Sequence, residues 1–209
     1  TEIYTLSLHD ALPISAYRQP DHDVDPLFVR RWSPRAMSGD PVAREELMRL
    51  FEAARWAPSS NNNQPWRFIY CMRDSVRWPA FFNLLTQGNR VWCVNAAALG
   101  VVASKNTFDN GKFARTHSFD AGSAWMSMAL QGTIMGLVVH GMQGFNYDQA
   151  RKELDIADDY SVEAMIAIGR HGTIEDLAPE KRGREFPSGR NPLSSFVFEG
   201  RFVDEYADI

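Results

Sequence analysis

The stretch Ala57-Pro58-Ser59-Ser60-Asn61-Asn62-Asn63-Gln64-Pro65-Trp66 decides how this chain is read. It sets two hydroxyls and four carboxamides between two prolines and closes on an indole. Ser, Asn and Gln offer donors and acceptors without formal charge, which suits a flat heterocycle edged with carbonyls and ring nitrogens. The prolines fix the path of a loop that holds its shape. On composition alone the stretch reads as a polar turn between an amphipathic helix and an apolar strand.

A second feature shifts that reading. Arg30-Arg31-Trp32-Ser33-Pro34-Arg35 lies upstream of the same helix. Arginine presents a planar fork of donors that grips phosphate bidentately, and the Ser33 hydroxyl can donate to the same group. Near the other end, Ser188-Gly189-Arg190-Asn191-Pro192-Leu193 places a further arginine beside Gly and Pro. A phosphate site paired with an amide-rich ring site is what a mononucleotide-type cofactor needs. The plain alternative is a solvated basic cluster.

Taken together, these segments resemble the FMN-dependent nitroreductase family. The resemblance runs in order through R-x-S-x-R and A-x-x-A-P-S-S-x-N-x-Q-P-W, then Gly88-Asn89-Arg90 and Asp120-Ala121-Gly122-Ser123-Ala124. Gly141-Met142-Gln143-Gly144-Phe145, Ile166-Ala167-Ile168-Gly169 and Arg190 complete it, so that it covers about residues 25–201. It implies an α+β nitroreductase-like fold: a central, mostly antiparallel sheet flanked by helices, in a homodimer with the C-terminal arm exchanged.

The same resemblance implies FMN as cofactor and a cofactor-binding set. That set is Arg30, Arg31, Trp32, Ser33, Arg35, Pro58, Ser59, Ser60, Asn62, Asn89, Gln143, Gly144 and Arg190. Within it, Arg31, Ser33, Arg35 and Arg190 hold the phosphate and ribityl end. Pro58, Ser59, Ser60 and Asn62 line the ring from the other subunit, and Asn89 bonds its pyrimidine edge. Gly144 brings a backbone N–H to flavin N5, a close approach that a residue without a side chain allows. Gln143 stands where some members carry Glu, Trp32 where smaller or polar residues are usual, and Ser188 where some have Lys. The implied reaction is ping-pong. NAD(P)H gives hydride to the flavin and leaves, then a nitroaromatic or quinoid acceptor is reduced. No catalytic acid, base or nucleophile is assigned, because the cofactor carries the hard chemistry. His117 reads as an exposed loop histidine rather than a proton donor.

Composition agrees with one enzyme-sized domain, placed at residues 20–209. The chain has 209 residues, 44% of them hydrophobic, enough for one sizeable core. A formal net charge of -4 argues against a general nucleic-acid binder, although local arginines can still form a basic pocket. Cys71 and Cys93 are far apart among apolar neighbours, so a reducing cytoplasm and buried packing roles are expected. No apolar run approaches membrane-spanning length. The five histidines show no zinc-ligand spacing, and no G-x-G-x-x-G after a strand, P-loop or G-x-S-x-G elbow is present.

Residues 1–15 stand apart. Thr5-Leu6-Ser7-Leu8-His9-Asp10-Ala11-Leu12-Pro13-Ile14-Ser15 matches one reading frame of a common sequencing adapter and is expected to be a non-native leader. A signal peptide fits less well, since a basic n-region is missing and His9, Asp10 and Pro13 interrupt the apolar run.

The remaining pattern alternates helix and strand. Residues 25–31 form a short helical lead-in. Asp40 as N-cap and Pro41 at the first position predict a helix whose stripe is Leu47, Leu50, Phe51 and Ala54. Strands are expected at 66–72, 137–140 and 162–169, the last with alternating apolar positions, and helices at 76–85, 120–135 and 147–154. Residues 96–103 read as a strand or a buried helix start. Residues 104–119 read as an irregular loop, the one candidate for a substrate lid. The tail from 179 carries apolar beads that fit a partner subunit. Two further readings stay open: a specialised member of the fold, such as a reductive dehalogenase or a flavin-consuming cofactor-biosynthesis enzyme, and a flavin-binding protein of low turnover.

Overall fold

The computed structural model describes residues 14–202. The proposed leader therefore lies outside the described residues, apart from Ile14 and Ser15, which open a 3-10 turn, Ile14–Ala16. Residues 203–209 of the C-terminal arm also lie outside them.

The first helix, α1 (Pro26–Arg30), starts where Asp25 accepts the Leu27 N–H at 2.8 Å and Pro26 occupies the first turn. The second, α2 (Arg44–Arg55), begins later than the Asp40–Pro41 signal predicts. Asp40 instead accepts the Ser38 hydroxyl, and Glu46 reaches back to the Ala43 N–H at 2.9 Å to serve as the cap. Its buried stripe is Leu47, Leu50 and Ala54, with Phe51 only partly covered.

Next come β1 (Trp66–Met72), α3 (Trp78–Phe82), α4 (Gln87–Cys93) and β2 (Ala98–Lys105). The helix expected over 76–85 is thus one short helix, and a second, α4, follows it. The chain continues through α5 (His117–Ile134), β3 (Leu137–Met142), α6 (Tyr147–Glu153), β4 (Tyr160–Arg170) and α7 (Pro179–Arg182).

The four strands form an antiparallel sheet in the order β1-β2-β4-β3. The central pair is buried on both faces, which corrects the alternation expected for 162–169: Met165, Ile166, Ala167, Ile168 and Gly169 are all buried. Such strands read as continuous apolar runs because both faces meet protein. Successive residues still point to opposite sides. Ile166 and Ile168 pack with α2 and α5, through Leu47, Leu50, Ala124 and Met128. Met165 and Ala167 pack with Phe81, Leu84 and Leu85 and with α4 residues Trp92 and Cys93.

Helix α5 lies close to β3. A side chain at Gly132 would place its Cβ 2.5 Å from Val139 Cγ2, and Val139 is itself buried and stiff at χ1. We expect Gly132→Val to lower unfolding stability by about 1–3 kcal/mol through overpacking, read as a fall in the urea midpoint at unchanged slope.

Candidate functional site

The arginine segment leaves α1 in extended form, with Arg31 at φ -65° and ψ 119°. Arg31 Nη1 donates to Ser33 Oγ at 3.2 Å. The C-terminal segment of the same chain packs against this strip. Glu185 Oε1 accepts the N–H groups of Arg35 at 2.7 Å and Ala36 at 2.8 Å. Arg190 Nη1 donates to the Gly189 carbonyl at 2.8 Å and the Ser188 carbonyl at 3.3 Å. Arg18 joins both flanks: its Nε donates to the Ser188 carbonyl and its Nη1 to the Val29 and Arg31 carbonyls.

Arg18, Arg31 and Arg190 therefore converge. Burial, then the charges of Arg190 and Arg31, pushes the Arg18 pKa down; burial and Arg190 do the same to Arg31. Among the described residues no carboxylate lies within 4.0 Å of these three groups. Clustered like charge in a half-buried corner is relieved by an anion. Arg30 is exposed at the end of α1, and Trp32 is half-buried.

A second group forms where β3 ends. Asn89 on α4 donates through Nδ2 to the Gly144 carbonyl at 3.0 Å, and the Thr86 N–H and hydroxyl reach the same oxygen at 2.9 and 3.0 Å. A Cβ on residue 144 would fall 2.5 Å from Asn89 Nδ2, so any side chain there would displace the Asn89 amide from this contact. The Gly144 N–H has no protein acceptor among the described residues. Gln143 beside it is exposed.

The two groups are connected. Trp92 Nε1 donates to Asn89 Oδ1 at 3.2 Å, and the Trp92 ring packs on His140 with centroids 4.6 Å apart. His140 Nδ1 donates to the Pro34 carbonyl at 2.8 Å, inside the arginine segment. Burial pushes the His140 pKa down to about 4; the nearby Arg35 and Arg31 charges add to this, against the pull of its carbonyl partner. The ring is therefore neutral, with its proton on Nδ1.

The Pro-Ser-Ser loop lies elsewhere. It leads into β1, one edge of the sheet, whereas Gly144 follows β3, the other edge. Three strand spacings, roughly 14 Å, separate those edges. Within the loop Asn61, Asn62 and Gln64 have φ of 49°, 53° and 47°. Left-handed backbone at three non-glycine residues costs energy and concentrates at functional sites. Ser59 Oγ accepts the Gln64 N–H at 3.0 Å, and the Ser60 N–H bonds buried Asp120 at 3.1 Å. Residues 61–64 border an open groove of about 860 Å³, closed on its far side by Phe108, Asp109, Asn110 and Lys112.

The segment 104–119 is more regular than its composition predicts. β2 runs to Lys105, Thr107 bridges to Phe113, and α5 begins at His117. His117 is correspondingly covered: its Nδ1 lies 2.7 Å from Ser104 Oγ, and Glu163 accepts the hydroxyls of Ser104 and Ser118. Ser104, His117 and Ser118 satisfy a network with Glu163, while Asp109, Asn110, Lys112 and Arg115 face solvent.

Arg18, Glu185, Trp92 and His140 escape a reading of the sequence, and Asp120 is read there only as part of a motif, without its bond to the Ser60 N–H. Arg18 sits just beyond the excluded leader, and Glu185, Trp92 and His140 have no local spacing that distinguishes them from core or surface residues. Arg18 alone carries a usable signal, as one more arginine near the basic motif.

The model of the nitroreductase family matches residues 29–92, which include the arginine segment, the Pro-Ser-Ser loop and Asn89. A crystal structure of an oxidoreductase containing FMN is 46% identical, covers 89% of this chain and 96% of its own, and superposes with a TM-score of 0.85. The chain belongs to the nitroreductase family. Two further relatives extend the likeness. Protein DrgA of Synechocystis is 27% identical over 205 residues, covering 83% of this chain and 93% of DrgA. YodC of Bacillus subtilis, named for NAD(P)H nitroreductase activity, is 24% identical over 163 residues, covering 62% of this chain and 80% of YodC. Among the described residues no helix of this nitroreductase-family chain is long and apolar enough to cross a membrane.

The neutral His140 gives a pH test. Well above 6.5 the ring is uncharged whether the chain is folded or not. Between 6.5 and about 4 the unfolded chain binds a proton that the folded chain refuses, so stability falls as pH falls through that window. We expect His140→Gln to lose less stability than the parent across the same window, as measured by urea unfolding at stepped pH.

Proposed function

We propose that this chain is an FMN-dependent oxidoreductase that passes hydride from NAD(P)H to electron-poor acceptors such as nitroaromatics or quinones. The observation that carries the reading is the pairing of uncompensated guanidiniums with the Asn89–Gly144 corner through one line of contacts. The residues fit the group: an oxyanion at one end, hydrogen-bonding ring edges at the other, and an uncommitted backbone N–H between glycine and solvent. The related oxidoreductase contains FMN, and YodC is named for NAD(P)H nitroreductase activity, which supports the same reading.

In this reading Arg31, Ser33, Arg35 and Arg190 bind the phosphate and ribityl chain, flanked by Arg30 and Trp32. Asn89 keeps one N–H and one lone pair beyond its contacts to Gly144 and Trp92, enough to bond the pyrimidine edge. The Gly144 N–H, which has no protein acceptor among the described residues, would be available to donate to N5, with exposed Gln143 beside it. A donor there favours the reduced ring and so sets its potential. When bound, FMN supplies the two-electron chemistry that links NAD(P)H to the acceptor. The protein binds, orients and keeps the ring accessible, and no side chain acts as a nucleophile.

The reading also requires a second copy. Pro58, Ser59, Ser60 and Asn62 sit at the opposite sheet edge from Gly144, so they reach a ring only across a dimer. Exposed Phe119 and Ile134 on α5 give such a dimer apolar surface, and Leu193, Phe196, Val197 and Phe202 give an arm to lie on it. Residues 185–190 pack on their own chain, so any exchange begins beyond them.

The purified protein should be yellow and should bleach on anaerobic addition of NADH or NADPH. Arg31→Ala should weaken FMN binding by about 1.5–3 kcal/mol, the worth of a charge-assisted phosphate contact. A colourless protein that takes up no FMN overturns the proposal. Sedimentation velocity should give a dimer, and a monomer with stoichiometric FMN overturns the shared-ring arrangement.

A further inference from the structure

Arg18 lies outside the residues given to the phosphate, yet it makes the contacts that assemble them. Its Nε donates to the Ser188 carbonyl at 2.9 Å, and its Nη1 to the Val29 carbonyl at 2.8 Å and the Arg31 carbonyl at 2.7 Å. Arg190 Nη1 reaches the same Ser188 oxygen at 3.3 Å. One guanidinium thus ties the segment carrying Arg31 to the segment carrying Arg190. Glu185 holds the Arg35 and Ala36 amides, so the same two segments are also joined there, and Tyr17 beside Arg18 stacks on Phe186 with ring centroids 5.9 Å apart. Among the described residues Arg18 Nη2 has no protein acceptor.

A purely structural clamp gains nothing from standing beside two further cations. Each bond to a neutral carbonyl is favourable, but the mutual repulsion is not offset by any acid within 4.0 Å among the described residues. The arrangement makes sense if a dianion completes it.

We infer that Arg18 is a phosphate-site residue: it sets the spacing of Arg31 and Arg190 and adds its own charge to a phosphomonoester held between them. The inference rests on the FMN reading. It is separable from that reading because riboflavin carries the same ring and ribityl chain without the phosphate.

The test is a pair of titrations, FMN and riboflavin, on apoprotein of the parent, Arg18→Gln and Arg18→Lys, followed by quenching of flavin fluorescence. The parent should bind FMN more tightly than riboflavin. Arg18→Gln should raise the FMN Kd by roughly tenfold or more and leave the riboflavin Kd in place. Equal weakening of both ligands marks a structural role only and overturns the inference, as does an unchanged FMN Kd. If Arg18→Gln does not fold, Arg18→Lys decides on the same ratio. One ammonium cannot span the Ser188, Val29 and Arg31 carbonyls, so the FMN preference should still fall, and an unchanged preference overturns the inference. A parent that binds neither flavin, or both alike, sinks the FMN reading itself.

Discussion

The bond from His140 Nδ1 to the Pro34 carbonyl is the contact on which the candidate site depends. It fastens a loop rich in positive charge to the edge strand of the sheet. The histidine is held neutral by burial, so it secures that loop without adding another cation beneath it. Its ring leans on Trp92, which fixes Asn89, which fixes Gly144. Two chemically different ends of a site are joined by three side chains in line, running from the Pro34 carbonyl to the Gly144 carbonyl.

An acidic chain maintains a basic corner here by local means. The overall charge of -4 says little about a corner where Arg18 and Arg190 share the Ser188 carbonyl and Arg18 also donates to the carbonyl of Arg31. Glu185 is the acid closest to the segment in the hydrogen-bond pattern, and it spends one oxygen on two backbone amides. It shapes the strip without neutralising the guanidiniums. Backbone groups give the corner its geometry, and the side-chain charge stays available.

How much of this can be read from the sequence varies by element. β1 is legible from end to end because an edge strand shows its aromatic and branched residues between a proline and a turn. β4 is legible as a strand but not in its burial, since its two faces are covered by helices distant in sequence, α2 and α5 on one side and α3 and α4 on the other. The start of α2 is misread because Asp40 finds a nearer partner in Ser38 while Glu46 caps from inside the helix. In the candidate site, Arg31, Ser33, Asn89 and Gly144 stand in motifs of the family resemblance. His140 and Glu185 meet the arginine segment from 106 and 150 residues away, as a strand and a C-terminal tail return to it. No local pattern encodes such a return.

The backbone of residues 61–64 has a practical corollary for anyone reshaping this molecule. Left-handed positions at Asn61, Asn62 and Gln64 tolerate glycine, asparagine and aspartate far better than branched or bulky residues. A combinatorial library spread over that loop would spend most of its members on chains that cannot adopt the path. Phe108, Asp109, Asn110 and Lys112 face the same groove from a hairpin in which only Gly111 is left-handed. Diversity placed there would alter the groove wall while leaving the constrained side intact.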